Sequence, residues 1–172
     1  MTAFVLAAML VGVLPVDNRS GEAVPGRALQ AELREGLAAQ GLTLVGAEPL
    51  ERVLADERIR FTGGVSGEQA EALQRALGLD AVLITTLAQY DGGDPPAIAL
   101  SSRLVATRGP AILWMDGVAL VGDERPGFLG LKVVHDVETL RVRAVDRLAR
   151  SLAATLAAGR SEPAPGANRF GP

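Results

Sequence analysis

The sequence lacks the residue types on which several classes of active site depend. It contains no cysteine, which excludes disulfides, thiolate nucleophiles and cysteine-ligated metals. His135 is its single histidine, so a site built on several histidines is excluded. Catalysis by His135 would need Asp136 or Glu138 beside it. We expect His135 instead to be a surface residue in the first turn of the last helix.

Phosphate and cation loops are missing as well. The chain has no Gly-Lys-Ser/Thr and no Gly-x-Gly-x-x-Gly after a strand, so nothing favours nucleotide binding. Asp91 and Asp94 flank two glycines, but the further oxygen ligands of a calcium loop do not follow them. We therefore predict no cofactor, no metal and no enzymatic activity. A net charge of −3 gives no general attraction for nucleic acid or for anionic lipid.

Long apolar runs are also scarce. The apolar stretch 3–16 is shorter than the roughly 20 residues needed to span a bilayer as a helix. Its second half, 9–16, is typical of a strand covered on both faces. Residues 1–8 are interpreted as the remnant of an export signal, with a start site chosen too late as the alternative.

The residues that are present predict an α/β fold. Aromatic residues make up 3% of the chain, so Leu, Val and Ala must fill the core. A helix over 27–40 follows the first strand, because Leu29, Leu33 and Leu37 recur every four residues. Ser66 and Gln69 have the spacing of a capping box, which predicts that another helix starts there.

The predicted element order is β-α-β-α-α-β-β-β-α. Crossover helices in the first half favour parallel strands, and the turn-linked strands over 80–89, 97–106 and 111–121 favour an antiparallel meander. The expected product is a mixed sheet with a long final helix over 135–158. We predict one domain over 9–158 and a disordered tail over 159–172.

Two places are candidate protein contacts. Asp17, Asn18 and Arg19 lie in a predicted loop over 17–22, just beyond the end of the first strand. The alternative is that Asn18 and Ser20 only hold the turn through side-chain hydrogen bonds. Trp114 is the second candidate, because tryptophan is enriched at interfaces. Alternation places it on one face with Ile112 and Asp116, and its alternative role is to seal the sheet against the last helix.

The chain resembles a group of bacterial envelope domains that includes the TolB amino-terminal domain and CsgG. The resemblance rests on Val11-Gly-Val-Leu-Pro-Val-Asp-Asn-Arg-Ser-Gly21, on Ser66-Gly-Glu-Gln-Ala70 leading to Leu77-Gly-Leu-Asp-Ala-Val-Leu-Ile84, and on Trp114 following Gly109. It implies a non-enzymatic accessory or assembly protein that binds envelope proteins or itself, located in the periplasm or at the outer membrane. The family's lipid-bearing cysteine is missing, and the chain is too short for the insertions with which CsgG forms a barrel.

Two other functions stay open at this point. The resemblance to TolB-like domains also implies an alternative, a cytoplasmic sensor or regulatory module, which would need a fused or separate effector. A small hydrolase would need a deep pocket with buried carboxylates, for which Asp17 and Asp80 are the candidates.

Overall fold

The computed structural model describes residues 9–24, 26–59, 64–109, 111–122 and 134–161. These residues form one mixed six-stranded sheet and four helices. The strands are β1 (Leu10–Val13), β2 (Asp17–Asn18), β3 (Thr43–Leu44), β4 (Ala81–Asp91), β5 (Ala97–Ala106) and β6 (Ile112–Val121). The helices are α1 (Gly26–Ala39), α2 (Ala47–Asp56), α3 (Gly67–Leu77) and α4 (Val137–Ser161).

The parallel half of the sheet is built around β1. The strand order is β3-β1-β4-β5-β6, and β2 pairs with β4 beyond the end of β1. Strand β1 runs parallel to β3, with Leu10 opposite Thr43, and parallel to β4, with Val11 opposite Ala81. Val11 and Val13 are fully buried, because helices cover both faces of the sheet at this strand.

Strands β4, β5 and β6 form the antiparallel meander. A β-bulge interrupts the β5–β6 pairing, so that Leu104 pairs with Trp114 while Val105 pairs with Ile112. Leu113 is therefore the extra residue. Since a bulge turns the residues before it to the other face, Ile112 does not share a face with Trp114, which corrects the expectation from alternation.

The two faces of the sheet carry separate apolar cores. Helices α1 and α4 cover one face through leucines that include Leu33, Leu37, Leu140 and Leu148. Helices α2 and α3 cover the other face with a smaller cluster around Leu50 and Leu73. Helix α1, which connects β1 to β3, thus lies on one face of the sheet. Helices α2 and α3, which connect β3 to β4, lie on the other face.

Local signals place the helix ends. The Ser66 side chain accepts a hydrogen bond from the Gln69 backbone, and the Gln69 side chain accepts one from the Ser66 backbone, so the predicted capping box is confirmed. Gly78 ends α3 with φ 67°, a left-handed conformation that suits glycine. No helix among the described residues is long and apolar enough to cross a membrane.

The predicted fold class is confirmed, with shifts at several element ends. Helix α1 runs from Gly26 to Ala39 rather than over 27–40, and α4 runs from Val137 to Ser161 rather than over 135–158. The helix thus continues through 159–161, which the sequence had assigned to a disordered tail, and no proline interrupts this part of the chain before Pro163. The predicted signal remnant over 1–8 and the rest of the predicted tail, 162–172, lie outside the described residues.

Candidate functional site

The predicted contact loop rejoins the sheet after β1 ends. Asp17 and Asn18 pair in parallel with Thr86 and Leu87 of β4, and the Arg19 backbone N–H donates to the Leu87 carbonyl at 2.8 Å. The loop prediction for 17–22 is wrong at its first two residues. The reason is that β4 is much longer than β1, so its carboxyl half needs another backbone partner.

Asn18 and Ser20 hold the turn that follows. The Asn18 Oδ1 accepts from both the backbone N–H and the hydroxyl of Ser20, at 3.0 and 2.7 Å, and its Nδ2 donates to the Glu22 carbonyl at 2.8 Å. The Ser20 hydroxyl in turn accepts the Glu22 N–H at 3.2 Å. Asn18 therefore has the turn-holding role that was its alternative, and its amide is largely occupied.

Arg19 is an exposed residue of the predicted contact loop. Its Nε lies 2.8 Å from the Asp17 carboxylate, and the two side chains are 59% and 17% exposed. Because Asp17 orients the guanidinium from within the short strand, Arg19 projects from a fixed backbone. This geometry suits a surface contact with another protein.

An open cleft of about 630 Å³ lies beside this loop. Pro15 and Val16 form one part of its lining, and residues of α1 and α2 form the walls. Gln30 is buried within it, and its Nε2 donates to the Val13 carbonyl at the end of β1, at 2.9 Å. The cleft lies where the connections after β1 and β3 diverge to opposite faces, the place where open α/β sheets bind ligands.

Trp114 is buried against α4 and offers no exposed contact. It is 7% exposed, and its Nε1 donates to the Ser151 hydroxyl at 3.3 Å. That hydroxyl donates to the Asp116 carboxylate at 2.6 Å. Trp114 therefore seals the sheet against the last helix, as in its alternative role, and the prediction of a contact residue is corrected. Asp116, the charged residue on the same face as Trp114, thus has a hydrogen-bond partner on α4.

His135 lies at the surface, where its Nδ1 is 3.6 Å from the Asp94 carboxylate. Neither Asp136 nor Glu138 has a hydrogen bond or ion pair with it in the described part of the chain. Asp91 accepts the Gly93 N–H at 2.8 Å, a contact that stabilises the turn. Among the described residues, no group of three or more potential ligands could hold a metal.

A polar network that the sequence did not reveal connects α1, β4 and α4. Arg141 makes two bonds to the Glu32 carboxylate, at 2.8 and 2.9 Å, and the Tyr90 hydroxyl donates to Glu138 at 3.2 Å. Arg141 also lies within 3.5 Å of the Tyr90 hydroxyl. The partners are far apart in the chain, so no local spacing could have indicated them.

The network shifts the pKa values of two of its members. Burial, and then the negative charge of Glu138, raise the pKa of Tyr90. Burial alone would lower the pKa of Arg141, but the hydrogen bonds and charge of Glu32 outweigh it and raise that pKa. Both groups therefore keep their protons at neutral pH, and the network has the character of a structural clamp rather than of a proton-transfer site.

Comparisons with known proteins relate the fold to other chains. No family model and no curated protein matches this sequence. The lipoprotein GNA1162 from Neisseria meningitidis has a similar solved structure, with a TM-score of 0.58 and 23% identity, covering 83% of this chain and 98% of that one. The LpoB C-terminal domain from Salmonella enterica has a TM-score of 0.55 and 23% identity, with coverages of 69% and 86%.

A third similar structure is the PelC dodecamer from Paraburkholderia phytofirmans, with a TM-score of 0.53 and 15% identity, covering 83% of this chain and 88% of that one. At these identities the comparisons show a shared fold, and they support the expected resemblance at that level. TolB from Acinetobacter baumannii aligns at a TM-score of 0.47, too weakly to support a closer relationship. The likeness to CsgG stays a prediction.

Proposed function

We propose that this protein is a non-enzymatic accessory protein of the bacterial cell envelope that acts by binding other proteins. The observation that carries the proposal is the fold that it shares with the lipoprotein GNA1162 over nearly the whole of that chain. The PelC structure, a dodecamer, makes self-association one form that such binding could take. Location in the periplasm or at the outer membrane, and a single domain over 9–158, are parts of the same proposal.

The arrangement of polar groups supports binding rather than catalysis. Asn18 and Ser20 are engaged in the turn, and Asp17 is engaged with Arg19. Asp80 accepts the Leu10 N–H at 2.9 Å, so it supports the start of β1 rather than a pocket. The two carboxylates that a hydrolase would have needed thus have structural partners, and a rigid loop with Arg19 projecting from it is the better-supported contact surface.

Cell fractionation and site-specific crosslinking test the proposal together. The full-length protein would be located by fractionating the cells that make it, and a photo-crosslinking residue would replace Arg19. The matched control replaces Arg52, another exposed arginine, on α2. We expect envelope fractionation and a discrete crosslinked protein at position 19 that is absent at position 52. A soluble cytoplasmic protein would overturn the location and favour the regulatory module.

A further inference from the structure

The large apolar side chains exposed on the described surface are concentrated on one hairpin. Ile112 is 60% exposed, Leu113 38% and Met115 69%. Among the described residues one further large apolar side chain is exposed to this degree, Val142 on α4, at 57%. Three such residues within four positions of one strand form a patch rather than the scattered exposure that is ordinary for a soluble surface.

The β-bulge brings this patch together on one face. Ile112 pairs with Val105 and Met115 pairs with Arg103. Since Val105 and Arg103 are two residues apart on β5, their side chains point to the same face, and Ile112 and Met115 point there with them. Without the bulge, Ile112 and Met115 would lie on opposite faces, so this irregularity creates the patch.

The hairpin that carries the patch is basic, and one acidic residue of α3, Glu71, lies beside its turn. Arg103 lies opposite Met115, and Arg108 is exposed in the turn between β5 and β6. The chain has no Asp or Glu between Pro95 and Met115. Asp116 follows directly, but its carboxylate is bonded to Ser151 on the opposite face. An apolar tip flanked by cationic side chains fits the boundary between the headgroups and acyl chains of an anionic lipid surface.

We propose that the β5–β6 hairpin docks this protein on an anionic lipid surface, with Ile112, Leu113 and Met115 entering the interfacial region. The exposed area of three side chains is far smaller than the roughly 800 Å² per partner that a stable protein interface buries. A lipid surface requires no shape complementarity, so a small patch suits it better than it suits a protein partner. The position of β6 at the edge of the sheet leaves the hairpin reachable. The inference deepens the proposed function, on which it rests for the presence of a membrane.

Vesicle co-sedimentation of the purified chain tests this docking. The probes are vesicles of phosphatidylcholine alone and vesicles containing phosphatidylglycerol. We expect binding to the anionic vesicles, weakened on the order of ten-fold or more in Ile112→Ser/Met115→Ser. The control Val142→Ser, which removes one apolar side chain of similar fractional exposure elsewhere on the surface, should stay within about two-fold of the original chain. Arg108→Gln should weaken binding to the anionic vesicles specifically.

Three outcomes would overturn the docking. The first is that the original chain fails to bind anionic vesicles. The second is that the double variant binds them as well as Val142→Ser does. The third is that the double variant is a monomer where the original chain is an oligomer, while its vesicle binding is unchanged. The last outcome would make the patch a contact between copies. Thermal unfolding checks that each variant is folded. If the original chain still crosslinks to a partner at position 19 but does not bind vesicles, this inference fails while the proposed function stands.

Discussion

At the scale of single residues, the Ser151 hydroxyl joins the last helix to the edge strand. It accepts the Trp114 Nε1–H and donates to the Asp116 carboxylate. We expect Ser151→Ala to lower the free energy of unfolding by about 1–2 kcal/mol, because it leaves a partly buried indole N–H and a carboxylate without this partner. Denaturant unfolding of the original protein and of Ser151→Ala measures this loss of unfolding free energy. Thr155→Ala, at an exposed position one turn further along α4, is the control, and an equal effect of the two would contradict the role of Ser151.

Asp136 makes the stability of α4 dependent on pH. Its carboxylate accepts the Glu138 and Thr139 backbone N–H groups at 3.0 and 3.1 Å, and also the Thr139 hydroxyl. Bonds from Thr139, then from Glu138, lower the pKa of this carboxyl below its ordinary 3.8. A depressed pKa in the folded state contributes stability above the ordinary pKa and loses it as the pH falls through the folded value.

We therefore expect Asp136→Asn to melt at a lower temperature than the original protein at neutral pH. The difference in melting temperature should shrink as the pH falls below about 4. It should vanish once the Asp136 carboxyl is protonated in both the folded and the unfolded protein. Melting temperatures of the two proteins across this range measure the effect. A difference that stays constant down to the lowest pH would show that the charge of Asp136 contributes nothing.

At the scale of elements, a buried pair of hydroxyls joins β4 to β5. The Thr85 and Ser102 oxygens lie 2.8 Å apart, and both residues are buried. Thr85→Val should cost about 1–3 kcal/mol of unfolding free energy, because it leaves the Ser102 hydroxyl buried without a partner. Thr85→Val/Ser102→Ala should recover part of that loss. Ser101→Ala, at an exposed neighbouring position, is the control, and a double variant less stable than Thr85→Val would contradict the pairing.

Elements with strong local signals were predictable from the sequence. The leucine spacing of α1, the capping box of α3 and the turn-linked strands of the meander depend on residues that are near each other in the chain. The short strand β2 was not predictable, because it exists only where the longer β4 extends past β1. The bulge at Leu113 was not predictable either, and it reversed the side to which Ile112 points.

The candidate site was predictable only in outline. The sequence located the loop around Arg19 but could not decide between contact and turn-holding roles for Asn18, which depends on where the Glu22 carbonyl lies. Trp114 is buried against α4, where its hydrogen-bond partner Ser151 is 37 residues away in the chain. Exposure of the patch at Ile112 and Met115 depends on which helices cover which face, and the sequence of β6 does not contain that information.

At the scale of the whole molecule, the Arg141–Glu32 ion pair holds α1 and α4 side by side over one face of the sheet. Both side chains are largely buried, at 13% and 28% exposed, and the pair has two hydrogen bonds. A double-mutant cycle with Arg141→Gln and Glu32→Gln should give a coupling free energy of about 1–2 kcal/mol. The exposed pair Arg150 and Asp146 should give less than about 0.5 kcal/mol. Equal couplings for the two pairs would contradict the clamp.

The central position of β1 has a consequence for the order in which the chain can fold. The two neighbours of β1 are β3 and β4, so β1 waits for Ala81–Asp91 to be synthesised before both of its edges are paired. The strands of the meander, by contrast, follow one another closely along the chain. Closing the long loops around β1 costs chain entropy before its contacts compensate. A nascent chain that ends before β4 therefore cannot complete the sheet, and the segments that precede β4 stay available to whatever machinery handles unfolded polypeptide.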